Sequence, residues 1–165
     1  MSEQGKGTGA IALGWWSTNI GARESSSARA LSARLRRAAP VTVLCEPAVQ
    51  QLAKNLNYGP AQADRLVRLV SLLVEVREHV GTPLASRLGG IDPILSNLRF
   101  QRLMRADGDE LTAQLRRAIG MADRRCNVAA LANDVIHWGD KTRARWCFQY
   151  FGADAPAENS KEIIE

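Results

Sequence analysis

Apolar side chains return at three- and four-residue intervals in one segment of this chain after another. Only a helical backbone puts such positions on one face. Strand-like alternation is nearly absent, and the one β-branched run, Val41-Thr42-Val43-Leu44, is too short and isolated to found a sheet. The pattern therefore predicts an all-α protein. Breaker residues set the limits of its helices. A first helix is expected from about Ile11 through Trp15-Trp16 to near Ala22, after a flexible glycine-rich leader at residues 1–10. Ser25 to Ser27 offer caps for a second helix ending before Pro40, with Ala28, Leu31, Leu35 and Ala38 on one face. Pro47 suits the first turn of a short helix over 48–56, which Asn57-Tyr58-Gly59-Pro60 stops. The most hydrophobic helix is expected over 61–80, as the centre of an N-terminal bundle.

Gly89-Gly90 and Asp92-Pro93 mark residues 82–92 as a linker. The expected architecture is thus two small helical bundles, 11–81 and 93–152, packed in one elongated chain. In the second, Asp92 can cap a helix that has Pro93 at its first position and runs to Ala106. Another spans Asp109 to about Arg124, Asn127 caps a third over 128–138, and Asp140 begins a fourth that reaches Phe151. Residues 153–165 are expected to be a disordered acidic tail.

Charge is unevenly placed. The net charge of +5 divides into −3 over residues 153–165 and +8 over the rest. Its cations are 18 arginines against 4 lysines. Arginine presents a planar fork of donors that matches phosphate oxygens, whereas lysine is a hydrated point charge. A GC-rich genome would also inflate arginine, so position has to decide. Arg99, Arg102 and Arg105 recur every three residues, which keeps them within about a third of a helix circumference. Arg29 with Arg34, Arg36 and Arg37, Arg116 with Arg117, and Arg143 with Arg145 form three further groups off the apolar stripes. Such rows suit sequence-independent contact with a nucleic-acid backbone, although any single row also suits pairing with local carboxylates.

Catalytic signals are weak. His79 and His137 belong to no ligand-spaced or catalytic grouping, and Ser25 to Ser27 have no histidine partner. Asp107, Asp109 and Glu110 sit where a helix start favours acids. Gly89-Gly90 is followed by no lysine of a phosphate loop. Cys45, Cys126 and Cys147 form no C-x-x-C pair, so thiols in a reducing compartment are expected, mostly as apolar filler. No cofactor or metal is implied, and the expectation is a protein without enzymatic activity. No segment approaches the roughly 20 apolar residues that a membrane span requires, so a soluble cytoplasmic protein is expected. The four tryptophans fit core or interface anchoring better than base stacking, since Trp15 and Trp16 point about 100° apart and at least one must face inward.

The order of these pieces is more specific than any one of them. A tryptophan pair on the first helix is followed by ARALSARLRRA, and the C-terminal half carries R-F-x-R-L-x-R-A, L-R-R-A-I, N-V-x-x-L-A-x-D, a tryptophan, G-D, and R-x-R-W-x-F-x-Y. Over about residues 11–151 the chain resembles the CasB-type small subunits of the type I-E CRISPR surveillance complex Cascade. That resemblance implies a two-lobed helical subunit that helps hold the open R-loop by binding the displaced single-stranded DNA. The implied partners are other Cascade subunits, including the guide-RNA-binding backbone and the large subunit, the guide RNA–DNA hybrid, and a second copy of the chain. The eleven arginines named above are the implied contact residues. A free-standing helical DNA-binding regulator, or a helical adaptor for acidic proteins, is the competing reading.

Overall fold

Capping chemistry fixes several helix starts in the computed structural model, which describes residues 7–152. The elements in chain order are α1 (Thr8–Asn19), α2 (Ser26–Arg37), α3 (Pro40–Leu44), α4 (Pro47–Leu56), α5 (Ala63–Leu73), β1 (Glu78–His79) and α6 (Leu84–Leu88). They continue with α7 (Asn97–Arg105), α8 (Gly108–Met121), β2 (Arg125–Cys126), α9 (Val128–Ile136) and α10 (Asp140–Tyr150). The Ser25 hydroxyl accepts from the Ala28 N–H at 3.2 Å, and the Asn127 side chain accepts from the Ala130 N–H at 3.0 Å. Each satisfies an amide that the first helical turn leaves without an internal partner. Pro40 and Pro47 stand in the first turns of α3 and α4, and Asn57, at a left-handed φ of 63°, ends α4. The all-α reading holds, and no described helix is long and apolar enough to cross a membrane.

The core is continuous from α1 to α10. Helix α1 packs against α9, α4 and α2. Its approach to α9 requires Gly9, because a Cβ there would sit 2.5 Å from the Ala129 carbonyl oxygen. Both members of the tryptophan pair are buried, since α1 has neighbours on more than one side. The Trp15 indole N–H donates to the Ala48 carbonyl at 2.8 Å, and that of Trp16 donates to the Leu73 carbonyl at 3.1 Å. This contact with α9 also explains why α1 begins at Thr8, three residues before the expected start. The rest of the expected leader, residues 1–6, and the acidic tail lie outside the described residues.

Three expectations are modified. The most apolar helix ends at Leu73 rather than 80. Beyond it the Arg77 N–H donates to the Arg124 carbonyl at 2.8 Å, and β1 pairs in parallel with β2. These partners take the backbone groups that a longer helix would have used. The helix expected from Pro93 begins at Asn97, capped by Ser96, whose hydroxyl accepts from the Arg99 N–H at 3.3 Å. Leu95 is held out of it by its own N–H, which donates to the Leu88 carbonyl at 3.1 Å. Residues 82–92 contain α6 and seat the end of α10: Gly89 lies so close to the Tyr150 carbonyl that a Cβ would be 1.9 Å away, and the Gly90 N–H donates to that carbonyl at 2.7 Å.

Candidate nucleic-acid interface

Helices α7 and α8 pack together and leave between them a cleft of about 340 Å3. On α7, Phe100 and Leu103 are buried, which turns Arg99 and Arg102 outward beside them. On α8, Glu110, Gln114 and Arg117 stand at i, i+4 and i+7, a stripe next to the buried Leu111, Leu115 and Ala118. Arg99, Arg102 and Arg117 all line the cleft, and none has an ion pair among the described residues. Glu110 faces it too, with its carboxylate accepting from Gln114 Nε2 at 2.9 Å. The site is a cationic groove with an apolar base, supplied by Leu95 and Leu103.

The other sequence-predicted arginines divide. Arg34 makes a two-pronged bond to Glu46 at 2.8 and 3.1 Å, and its hydrogen bond and charge hold the Glu46 carboxyl below its ordinary range. Arg36 and Arg116 reach the same carboxylate, Glu75, at 3.3 and 2.9 Å, where Arg124 joins them at 2.6 Å. Arg116 and Arg117 are adjacent on α8 and so point about 100° apart, one to Glu75 and one to the cleft. Arg143 pairs with Asp107 at 2.9 Å and Asp140 at 3.3 Å, and lies over the Trp138 ring. Arg145 pairs with the buried Asp134 at 2.7 Å, and the Trp146 indole N–H meets the same carboxylate at 2.8 Å. Arg29 donates to the Arg23 carbonyl. Arg37 and Arg105 are exposed and make no ion pair among the described residues. A paired guanidinium keeps spare donors, because it has five N–H groups, but its position is set by its partner.

Glu75 is the residue that sequence reasoning does not reach. Burial alone would push its carboxyl up, but hydrogen bonds from Arg116 and Arg124 and the nearby charge of Arg36 outweigh this and hold it below its ordinary range. A single carboxylate inside Leu72-Leu73-Val74-Glu75-Val76 is itself a signal, since a buried charge must be paired. Arg124 serves this hub from a left-handed backbone, φ 57°, next to Asp123 at φ 60°. No cluster of three or more metal-ligating side chains occurs among the described residues. His79 has a structural part, its Nδ1 accepting the Val128 N–H at the start of α9.

A family model described as CRISPR-associated protein Cse2 matches residues 31–151. The chain belongs to the Cse2 family. This Cse2 protein is 34% identical over 70 residues to a CRISPR-associated protein Cse2 of Thermus thermophilus, an alignment spanning 41% of each chain. Its fold matches a chain of E. coli Cascade, in a crystal structure of that complex bound to a PAM-containing double-stranded DNA target. The match has a TM-score of 0.60 and 20% identity and covers 86% of this chain and 91% of that one. The family is the one that the CasB-type motifs pointed to.

Proposed function

We propose that this Cse2 protein is a non-catalytic subunit of an RNA-guided surveillance complex of the Cascade type, and that it stabilises the R-loop by gripping the backbone of the displaced DNA strand. The observation that carries this reading is the groove between α7 and α8, where Arg99, Arg102 and Arg117 converge without carboxylate partners. Three guanidiniums face this groove against one carboxylate, Glu110, and the excess positive charge favours an anion lying across them. Phosphate contacts of this kind are insensitive to sequence, as a subunit serving any guide requires. Exchange of DNA pairing for RNA–DNA pairing is nearly balanced in energy, so a few backbone contacts decide whether the loop stays open. Family membership and the fold shared with a Cascade chain support the setting.

Neighbouring subunits and a second copy of the chain are the proposed protein partners, in the cytoplasm. Ile91, Ile94 and Leu98 before and within α7, and Phe148 and Phe151 at the end of α10, are exposed apolar side chains suited to such contacts. The test is a complex reconstituted with R99A/R102A/R117A protein and a matched DNA target over a salt series. Three lost phosphate contacts should lower the slope of log affinity against log salt by about 2 in magnitude for single-stranded DNA and speed R-loop collapse. Unchanged target binding by that complex would overturn the reading, and a strong preference for one duplex sequence by the isolated protein would favour a regulator instead.

A further inference from the structure

A second cleft, of about 120 Å3, lies between α2 and the chain that follows α5. Four arginines line it: Arg23 from the α1–α2 connection, Arg29 and Arg36 from α2, and Arg77 from just before β1. Only Arg36 has a carboxylate partner, Glu75, and Glu78 next to Arg77 is committed to Arg125 at 3.1 Å. Arg29 donates to the Arg23 carbonyl, which ties the connection to α2 and keeps both side chains at the cleft. Between the arginines is Ser32, whose hydroxyl oxygen is buried and has no hydrogen-bond partner within the protein. A buried hydroxyl without a partner in the protein is unfavourable, and this one is free to donate to a group bound in the cleft.

We infer that this cleft seats one phosphate group of a nucleic-acid strand, held by Arg23, Arg29, Arg77 and the Ser32 hydroxyl with Arg36 behind them. A planar carboxylate is satisfied by one guanidinium fork, as Arg34 satisfies Glu46 at 2.8 and 3.1 Å. Donors converging from three separate parts of the chain fit a tetrahedral oxyanion better. The size agrees, for a cleft of about 120 Å3 has room for one phosphate group. The seat rests on the reading that the protein binds a nucleic-acid backbone, and it adds Arg23, Arg77 and Ser32 to the residues that do so.

The full chain, as wild type, R23A/R77A and R99A/R102A/R117A, is titrated with a random single-stranded oligonucleotide over a salt series, and separately with inorganic pyrophosphate by 31P line broadening. Arg23 and Arg77 are exposed, so their loss leaves the helical circular dichroism unchanged. R23A/R77A should lower the salt slope by about 0.7, the value of one single-strand phosphate, and should abolish the pyrophosphate broadening seen with the wild type. An unchanged slope beside a reduced one for R99A/R102A/R117A overturns the seat for DNA and leaves the proposed function standing. If neither variant changes strand binding, that function falls. Pyrophosphate broadening lost in R23A/R77A would then support a seat for free phosphate anions, and its absence in the wild type would overturn the seat altogether.

Discussion

Replacing Glu75 with glutamine keeps the size of the side chain and removes the charge that gathers three arginines from separate parts of the chain. The bonds lost or weakened are those from Arg36, Arg116 and Arg124 at 3.3, 2.9 and 2.6 Å. At about 1.5–3 kcal/mol for each charge-assisted bond the ceiling is about 4.5–9 kcal/mol. The three guanidiniums are between 33% and 43% exposed, however, and regain water once released, while the amide oxygen goes on accepting. Discounting for this leaves about 2–4 kcal/mol, which extends below the range of about 3–5 kcal/mol for breaking a fully buried ion pair. For a chain of this size the melting temperature should fall by about 5–15 °C at pH 7, read by circular dichroism at 222 nm. Acid provides the second readout. The folded carboxyl titrates below its unfolded counterpart, so its stabilisation is complete above the unfolded value of about 4.3 and is lost as pH falls through the folded one. The gap between wild type and E75Q should therefore be constant near neutrality and close as the pH drops below the ordinary carboxylate range. A melting temperature within about 2 °C of wild type at pH 7, or a gap undiminished at pH 3, would refute the reasoning.

Trp146→Phe should lower stability by about 1–3 kcal/mol in urea unfolding, because it strands a buried Asp134 oxygen that the indole N–H satisfies at 2.8 Å; a change under about 0.5 kcal/mol would contradict this. The cysteines should differ in reactivity: Cys126, buried and with its thiol pushed up to about 12, should resist an aromatic disulfide reagent at pH 8 in the folded protein. Exposed Cys45 should react at once, and rapid native labelling of Cys126 would count against its burial.

Much of the helical order is written locally. Ser25, Pro47, Asn57 and Asn127 act within a few residues of themselves, and the helices they start or stop fall close to where the spacing puts them. The end of α5 does not, because the apolar pattern runs on past Leu73 while the pairing partners of the following backbone, Arg124 to Cys126, lie some fifty positions away. The same distinction governs the site. Rows of arginines are visible as spacing, but whether a guanidinium is engaged depends on carboxylates far off in sequence, 39 positions for Arg36 and 41 for Arg116. Arg117 differs from its neighbour only by the rotation of one helical residue, and that rotation decides which of the two opens to the groove.

The contact of Gly9 with Ala129 has a bearing on how the chain is made. Helix α1 is completed by α9, 120 positions later, so during translation its α9-facing side stays bare until α9 has left the ribosome. Contacts of such long separation are entropically late to form. A nascent chain halted before Val128 would expose the face around Gly9 and Ala12, and would be a target for chaperones or proteases rather than a folded half of the protein.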